Sequence, residues 1–433
     1  MEREIMPQLV AWKSRSDRKP LILLGARQVG KTHILREFGR RHYKYLAYIN
    51  CDNNQLVSEL FAPDYDMKRI LLSIGAITGV PIEPGNTLIV LDEIQELPRG
   101  LSSLKYFCEE ARDHHVAVAG SLLGIALHEG QSYPVGKVNT LRLLPMNFEE
   151  FLLAKGESQL LDMLRNSHWP TIQGLRGRYI QLLREYYFVG GMPEAVQMHI
   201  DTNDAVRVRE IQREILFAYD NDISKHASPD EAVRIGQVWR SIPSQLAKEN
   251  KKFIYGVVRQ GGRARNFETA IQWLIDAGLV YRIPRISTPS MPLAVYEDVL
   301  AFKLYALDCG LLGAMSNTPP AMLLLPNEMR ESKGAFTESF VCSQLQGLQD
   351  ATLGYYSKDN SQLEIDFLLQ LGVSILPIEV KAEENLNSKS LRTFVAEHPE
   401  LHGLRFSMSD YREQDTLTNV PLYAALTYLR QQS

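Results

Sequence analysis

Leu21-Ile22-Leu23-Leu24-Gly25-Ala26-Arg27-Gln28-Val29-Gly30-Lys31-Thr32 (residues 21–32) runs from an apolar stretch into a glycine-bounded loop closed by a lysine and a hydroxyl residue. It fits GxxxxGK[ST] at every fixed position, follows a strand pattern and opens a helical one, which is the context a phosphate-binding loop requires. The glycines let backbone N–H groups face phosphate oxygens. Lys31 brings a positive charge to the β/γ oxygens, the Thr32 hydroxyl is a ligand for Mg²⁺, and the helix after it adds its N-terminal dipole. The whole run Gly25, Ala26, Arg27, Gln28, Val29, Gly30, Lys31 and Thr32 is therefore the expected ATP-binding segment.

Outward from this loop, short apolar runs alternate with helical spacing. YLAYIN (45–50), NTLIVLDE (86–93) and HVAVAGS (115–121) read as buried strands, and residues 30–41 and 101–113 as helices. Strands apolar on both faces and separated by helices predict an α/β fold with a parallel sheet. Asp92 and Glu93 end one such strand, where sheets of this kind place their ligands. Asp92 is expected to hold Mg²⁺ through water and Glu93 to polarise the attacking water. Ser121 ends the next strand, and two readings stand side by side: contact with the γ-phosphate or the water, or capping of the following helix.

The chain has 433 residues with 47 Lys+Arg against 51 Asp+Glu, a net charge of −4. Two to four domains fit this length, and the near-neutral balance argues against a chain coated in positive charge to hold nucleic acid. No run of 18 apolar residues is present and the first 19 residues lack an apolar signal region, so neither membrane insertion nor secretion is expected. Cys51, Cys108, Cys309 and Cys342 are scattered and form no CxxC pair, which predicts reduced thiols in a cytoplasmic protein. His114-His115 lack spaced partners and read as polar edge residues.

GARQVGKT, LIVLDEIQ, AGSLLG, LRLLPMNFEEFLLAKG and YFVGGMPEAV, in this order, resemble the AAA-type P-loop ATPases fused to a DUF4143 domain. The resemblance covers nearly the whole chain. It implies an ATPase core over 1–147, a helical lid over 148–235, a winged helix over 236–290 and a restriction-endonuclease-like domain over 291–433. It implies ATP and Mg²⁺ as cofactors, and a homo-oligomer in which a neighbour's charge completes the site. That family carries Gly-Arg where this chain has Gly136-Lys137; Lys137 keeps the charge but not the planar fork of a guanidinium, and Arg142 is the alternative finger.

Residues 241–283 read as helix, short helix, polar turn, helix and strand, in the manner of a winged helix-turn-helix. Six basic residues fall within 248–265, among them Lys251, Lys252, Arg259, Arg263 and Arg265, against one acid, Glu249. One reading is contact with DNA phosphates; the other is a solvated loop. Further on, Glu338, Asp366 and Glu379-Val380-Lys381 give the order E…D…ExK. Glu379 and Lys381 share a strand face, and Asp366 can lie on an adjacent antiparallel strand. This resembles the PD-(D/E)xK nucleases, which implies that Glu338, Asp366 and Glu379 hold Mg²⁺ and that Lys381 positions or deprotonates water. The alternatives are idle carboxylates on a retained fold, and a C-terminal domain that binds protein in a nucleotide-dependent signalling or assembly module.

Overall fold

The computed structural model describes residues 1–52, 55–61, 63–97, 99–121, 123–126, 135–248, 251–325, 333–358, 361–384 and 388–432. They form two compact units, residues 1–144 with 276–278 and residues 145–275 with 279–433.

In the first unit β1 (Leu21–Leu24), β2 (Tyr45–Asn50), β3 (Thr87–Asp92), β4 (His115–Ala119) and β5 (Asn139–Arg142) form one sheet in the order β2-β3-β4-β1-β5. Every pairing is parallel. The reason lies in composition: Leu88, Ile89, Val90 and Leu91 are all fully buried, and each such side chain contributes about 1.5–3 kcal/mol on leaving water. Only a strand covered on both faces satisfies them all. The helix Lys31–His42 presents Ile34, Leu35 and Phe38 at helical spacing to the interior. His115 departs from the edge position expected of it. It is buried against the rings of Trp12 and Tyr43, shares a 2.7 Å hydrogen bond with the Tyr43 hydroxyl, and burial holds its pKa down at about 4.

In the second unit residues 148–246 carry helices only, from Phe148–Ala154 to Pro229–Leu246. Two of the runs that carry the resemblance, LRLLPMNFEEFLLAKG and YFVGGMPEAV, have a structural purpose here. Asn147 accepts from Glu150 N at 2.9 Å while the Glu150 carboxylate accepts from Asn147 N at 3.0 Å, a reciprocal cap that starts the helix Phe148–Ala154. The buried Glu149 takes Arg165 at 2.9 Å, the Thr427 hydroxyl at 3.1 Å and Arg430 at 3.3 Å, which ties this helix to the C-terminal one. At the Gly190-Gly191 turn, Gly191 N–H donates to Asp308 at 2.6 Å and its carbonyl accepts from Met146 N at 2.7 Å. A Cβ on Gly191 would collide with the Met146 carbonyl, so only glycine fits. Ser224 lies inside the helix Ala205–His226 and bonds back to the Asp220 carbonyl at 2.9 Å.

The helices Tyr255–Val258 and Ala264–Asp276 come next, then a hairpin of β6 (Val280–Ile286) and β7 (Glu297–Ala306). Lys252 bridges to Lys303 of β7 and Phe253 N donates to Phe302 O at 2.8 Å. Beyond them lie the helix Lys333–Leu345, β8 (Ala351–Ser357), β9 (Glu364–Leu371), β10 (Ser374–Val380), the helix Lys389–Glu397, β11 (Gly403–Ser407), β12 (Arg412–Glu413) and β13 (Leu417–Pro421). β8, β9 and β10 are antiparallel in succession, and β11 returns parallel to β10. The sheet order is β12-β13-β11-β10-β9-β8-β6-β7, so the hairpin extends the C-terminal sheet and shares its layer. Leu391, Phe394 and Val395 of the second helix pack on Ile286, Ile365, Leu368 and Ile375. Among the described residues no helix is long and apolar enough to cross a membrane.

Asp308 is fully buried and accepts from both Gly191 N and Leu311 N; burial still pushes its pKa from 3.8 up to about 6, against the pull of those N–H groups. A carboxyl raised in the folded state binds its proton more tightly than the unfolded chain does, so stability falls as pH rises from about 4 to about 6. Across that window the wild type is expected to lose about 2–3 kcal/mol relative to Asp308→Asn, which has nothing to titrate there. Urea unfolding of both proteins at each pH measures it.

Candidate nucleotide site and carboxylate cluster

All five strands of the first sheet run the same way, so their carboxyl ends and the loops beyond them share one edge. The loop 25–30 extends from β1, Glu93 from β3 and Gly120-Ser121 from β4, with β4 lying between β1 and β3. The loop turns on three positive-φ positions, Gly25 at 150°, Gln28 at 66° and Gly30 at 96°. A Cβ at Gly25 would meet the Leu143 carbonyl, which explains that glycine. Arg27 and Gln28 are exposed, while Ala26, Val29 and Lys31 are buried.

The expected ATP and Mg²⁺ residues come together here. The Thr32 hydroxyl donates to Asp92 Oδ2 at 2.6 Å, and the Tyr48 hydroxyl donates to the same oxygen at 2.9 Å. Lys31 Nζ donates to the carbonyls of Gly25 and Ala26 at 2.7 and 2.8 Å, which holds the ammonium across the mouth of its own loop. Glu93, itself at φ 54°, gathers three donors on Oε2: Gln95 Nε2 at 2.6 Å, Ser121 N at 2.9 Å and Ser121 Oγ at 3.1 Å. Burial pushes the Glu93 carboxyl up, but these hydrogen bonds and the Lys31 charge outweigh it and hold its pKa below the ordinary value. The Ser121 hydroxyl is thus engaged by Glu93. Gln95 closes the LIVLDEIQ run, whereas Tyr48 carries no motif signal in the sequence; only strand pairing brings Tyr48 beside Val90 and so to Asp92. The oxygens of Thr32 and Asp92 suit a hard cation, so the residues present fit the Mg²⁺–ATP that the loop implies. Lys137 is paired with Glu109 at 2.8 Å, and Arg142 is exposed on β5.

The second group lies in the second unit. β9 and β10 are antiparallel neighbours as expected, and Asp366 Oδ2 accepts from Val380 N at 2.8 Å. The lysines change the picture drawn from sequence. Glu338 is ion-paired to Lys251 and accepts from the Tyr305 hydroxyl at 3.1 Å. Lys303, entirely buried on β7, pairs with Glu364 at 2.6 Å. Lys381 pairs with Glu379 at 2.6 Å, and Arg405 of β11 stands in register beside Glu379. Burial pushes Glu338 up, but the charges of Lys251 and Lys303 outweigh it and leave it low. Burial and the Glu338 charge together push Asp366 up to about 7. Among the described residues no group of three or more His, Cys, Asp or Glu side chains converges as a metal site.

Of the basic residues expected on DNA, Lys252, Arg259, Arg263 and Arg265 are exposed. Lys251 is not: its side chain is 13% exposed and turned onto Glu338, because a buried carboxylate recruits the nearest cation. Glu249 lies outside the described residues.

Residues 17–152 match the family described as an AAA domain, residues 180–321 a domain of unknown function, DUF8612, and residues 333–425 a domain of unknown function, DUF4143. Among solved structures the chain is similar to the Walker-type ATPase PABY2304 of Pyrococcus abyssi, at 14% identity over 73% of this chain and 95% of that one, with a TM-score of 0.45. It is also similar to the ORC1 protein of Aeropyrum pernix in complex with DNA, at 13% identity over 75% and 93%, with a TM-score of 0.28. A further similar structure is Cdc6p of Pyrobaculum aerophilum, at 12% identity over 72% and 92%, with a TM-score of 0.26. Among curated proteins no relative matches.

A Cβ on Gly120 would collide with Gln95 Oε1. Gly120→Ala is therefore expected to lower stability by about 1–3 kcal/mol. In the double variant with Gln95→Ala the loss is expected to be smaller than the sum of the two, since the truncated side chain frees the space. Equilibrium unfolding of the four proteins of this cycle checks it.

Proposed function

We propose that this chain, an AAA domain followed by a DUF4143 domain, binds and hydrolyses ATP and couples that cycle to DNA held by a winged helix. The observation that carries the reading is the Thr32–Asp92 hydrogen bond at the carboxyl edge of a parallel sheet, with Glu93 held by Ser121 beside it. Lys31 would hold the β/γ oxygens, and Thr32 and Asp92 would hold Mg²⁺. Glu93 would take the proton of the attacking water through Oε1, since Oε2 already accepts three bonds. Ser121 and Gln95 keep that carboxylate aimed and ionised. Bound Mg²⁺–ATP supplies the phosphoryl group and the charge that these residues offset. A cation from a second copy of the chain completes the site in this reading, as Lys137 is engaged by Glu109.

The winged helix is supported by its order: the helix Pro229–Leu246, the bridge at Lys252, two helices, then the β6–β7 hairpin onto which that bridge pairs. Lys252, Arg259, Arg263 and Arg265 supply phosphate contacts. The succession helix, three antiparallel strands, helix, parallel strand over 333–407 supports a restriction-endonuclease-like fold for the C-terminal domain. A second reading, in which that domain binds protein and cleaves nothing, is favoured by the lysines engaged with its carboxylates.

Lys31→Ala is expected to abolish ATP binding in a calorimetric titration, and Glu93→Gln to keep binding while lowering turnover by about 10²-fold or more. Turnover unchanged in Glu93→Gln removes the assignment of the base. DNA binding is expected to weaken with salt, with a slope of log K on log salt steeper by about 0.9 for each phosphate contact. Replacing Arg259, Arg263 and Arg265 by Ala should flatten that slope, and Lys251→Ala should leave it unchanged. ATPase turnover indifferent to DNA would sink the coupling.

A further inference from the structure

The carboxylates proposed to hold Mg²⁺ in the C-terminal domain are Glu338, Asp366 and Glu379, with Glu364 beside them on β9. A divalent cation binds where anionic oxygens are in excess and converge. Here each acid has a cation at hand. Lys251 pairs with Glu338 and Lys303 with Glu364, while the Lys303 charge also acts on Glu338 and Asp366. Lys381 pairs with Glu379, and Arg405 faces it from the next strand. The four acids, Glu338, Glu364, Asp366 and Glu379, meet four bases, Lys251, Lys303, Lys381 and Arg405. With a lysine paired to each of Glu338, Glu364 and Glu379, an added dication would have to expel a lysine.

Three of these bases, Lys251, Lys303 and Arg405, come from outside the ExK motif. Lys303 sits on β7 and is fully buried. An ammonium there is tolerable only because carboxylates surround it. Lys251 immediately precedes the residue that bridges to Lys303 in the backbone, so one strand pairing delivers both ammonium groups to the same carboxylates. Two of the remaining ligand positions are also taken, the Tyr305 hydroxyl being on Glu338 and the Val380 N–H on Asp366, while Glu379 Oε2 is buried with no hydrogen-bond partner among the described residues.

We infer that Lys251 and Lys303 are the resident cations of this cluster, standing in for a divalent metal, so that the C-terminal domain is a metal-independent module whose charges lock the segment 251–253 onto β7 and the helix Lys333–Leu345. The inference does not rest on the ATPase reading and is tested without nucleotide.

The test is Mn²⁺ binding by the nucleotide-free full-length chain, read from the free-ion electron paramagnetic resonance signal, in wild type, Asp366→Asn, Lys303→Met and the double variant. Wild type and Asp366→Asn are expected to give the same isotherm. Lys303→Met is expected to gain one Mn²⁺ site, lost again in the double variant, and to melt at a higher temperature with Mn²⁺ than with chelator. A Mn²⁺ site in wild type that Asp366→Asn removes overturns the inference, as does a folded Lys303→Met that gains none. Should Lys303→Met not fold, Lys251→Met takes its place with the same two outcomes. A melting temperature of wild type that drops on adding chelator, and does not drop in Asp366→Asn, overturns it as well.

Discussion

Parallel pairing is the constraint on which the first unit depends. With β1 held between β4 and β5, and β3 on the far side of β4, the chain leaves three strands at one edge. Thr32, Asp92, Glu93 and Ser121 then meet within hydrogen-bond distance although the sequence scatters them. The apolar strands drive this arrangement, since runs such as Leu88 to Leu91 find burial on both faces only inside a parallel sheet covered by helices. The polar edge is a consequence of burying the rest.

Two carboxyls, one half-buried and one fully buried, show how magnitude decides charge. Glu93 and Asp308 each accept backbone N–H bonds and each bear a desolvation cost. Glu93 is partly exposed and has Lys31 and a hydroxyl nearby, so the donors win and it stays ionised below its usual range. Asp308 is fully buried with N–H donors alone, so burial wins and its pKa climbs to about 6. One is arranged to stay charged, as a base must be. The other holds the Gly190-Gly191 turn and caps the helix Cys309–Met315, a structural task for which its charge is a liability.

The same competition shapes the C-terminal sheet. Asp366, half-buried beside the buried Glu338, has its pKa raised, and the cations that arrive come from the chain itself. Lys251 looks like one more member of a basic stretch when read in sequence order. Its neighbours Arg259, Arg263 and Arg265 remain exposed.

By itself the sequence determined the α/β class, the loop 25–32, the paired acids ending β3 and the helical character of 148–240. Each of these is a local pattern: spacing and burial preference settle it within a dozen residues. It also allowed Asp366 and Glu379 to lie on adjacent antiparallel strands, as they do. What only the tertiary structure decided are contacts across long separations in the chain: Tyr48 on Asp92, the Ser121 hydroxyl on Glu93, Asp308 under the double glycine, and Lys251 and Lys303 among the acids. Such partners carry no periodic signal. A lysine reads the same in a solvated turn and on a buried strand, and it is the desolvation of the carboxylate facing it that fixes which of the two it serves.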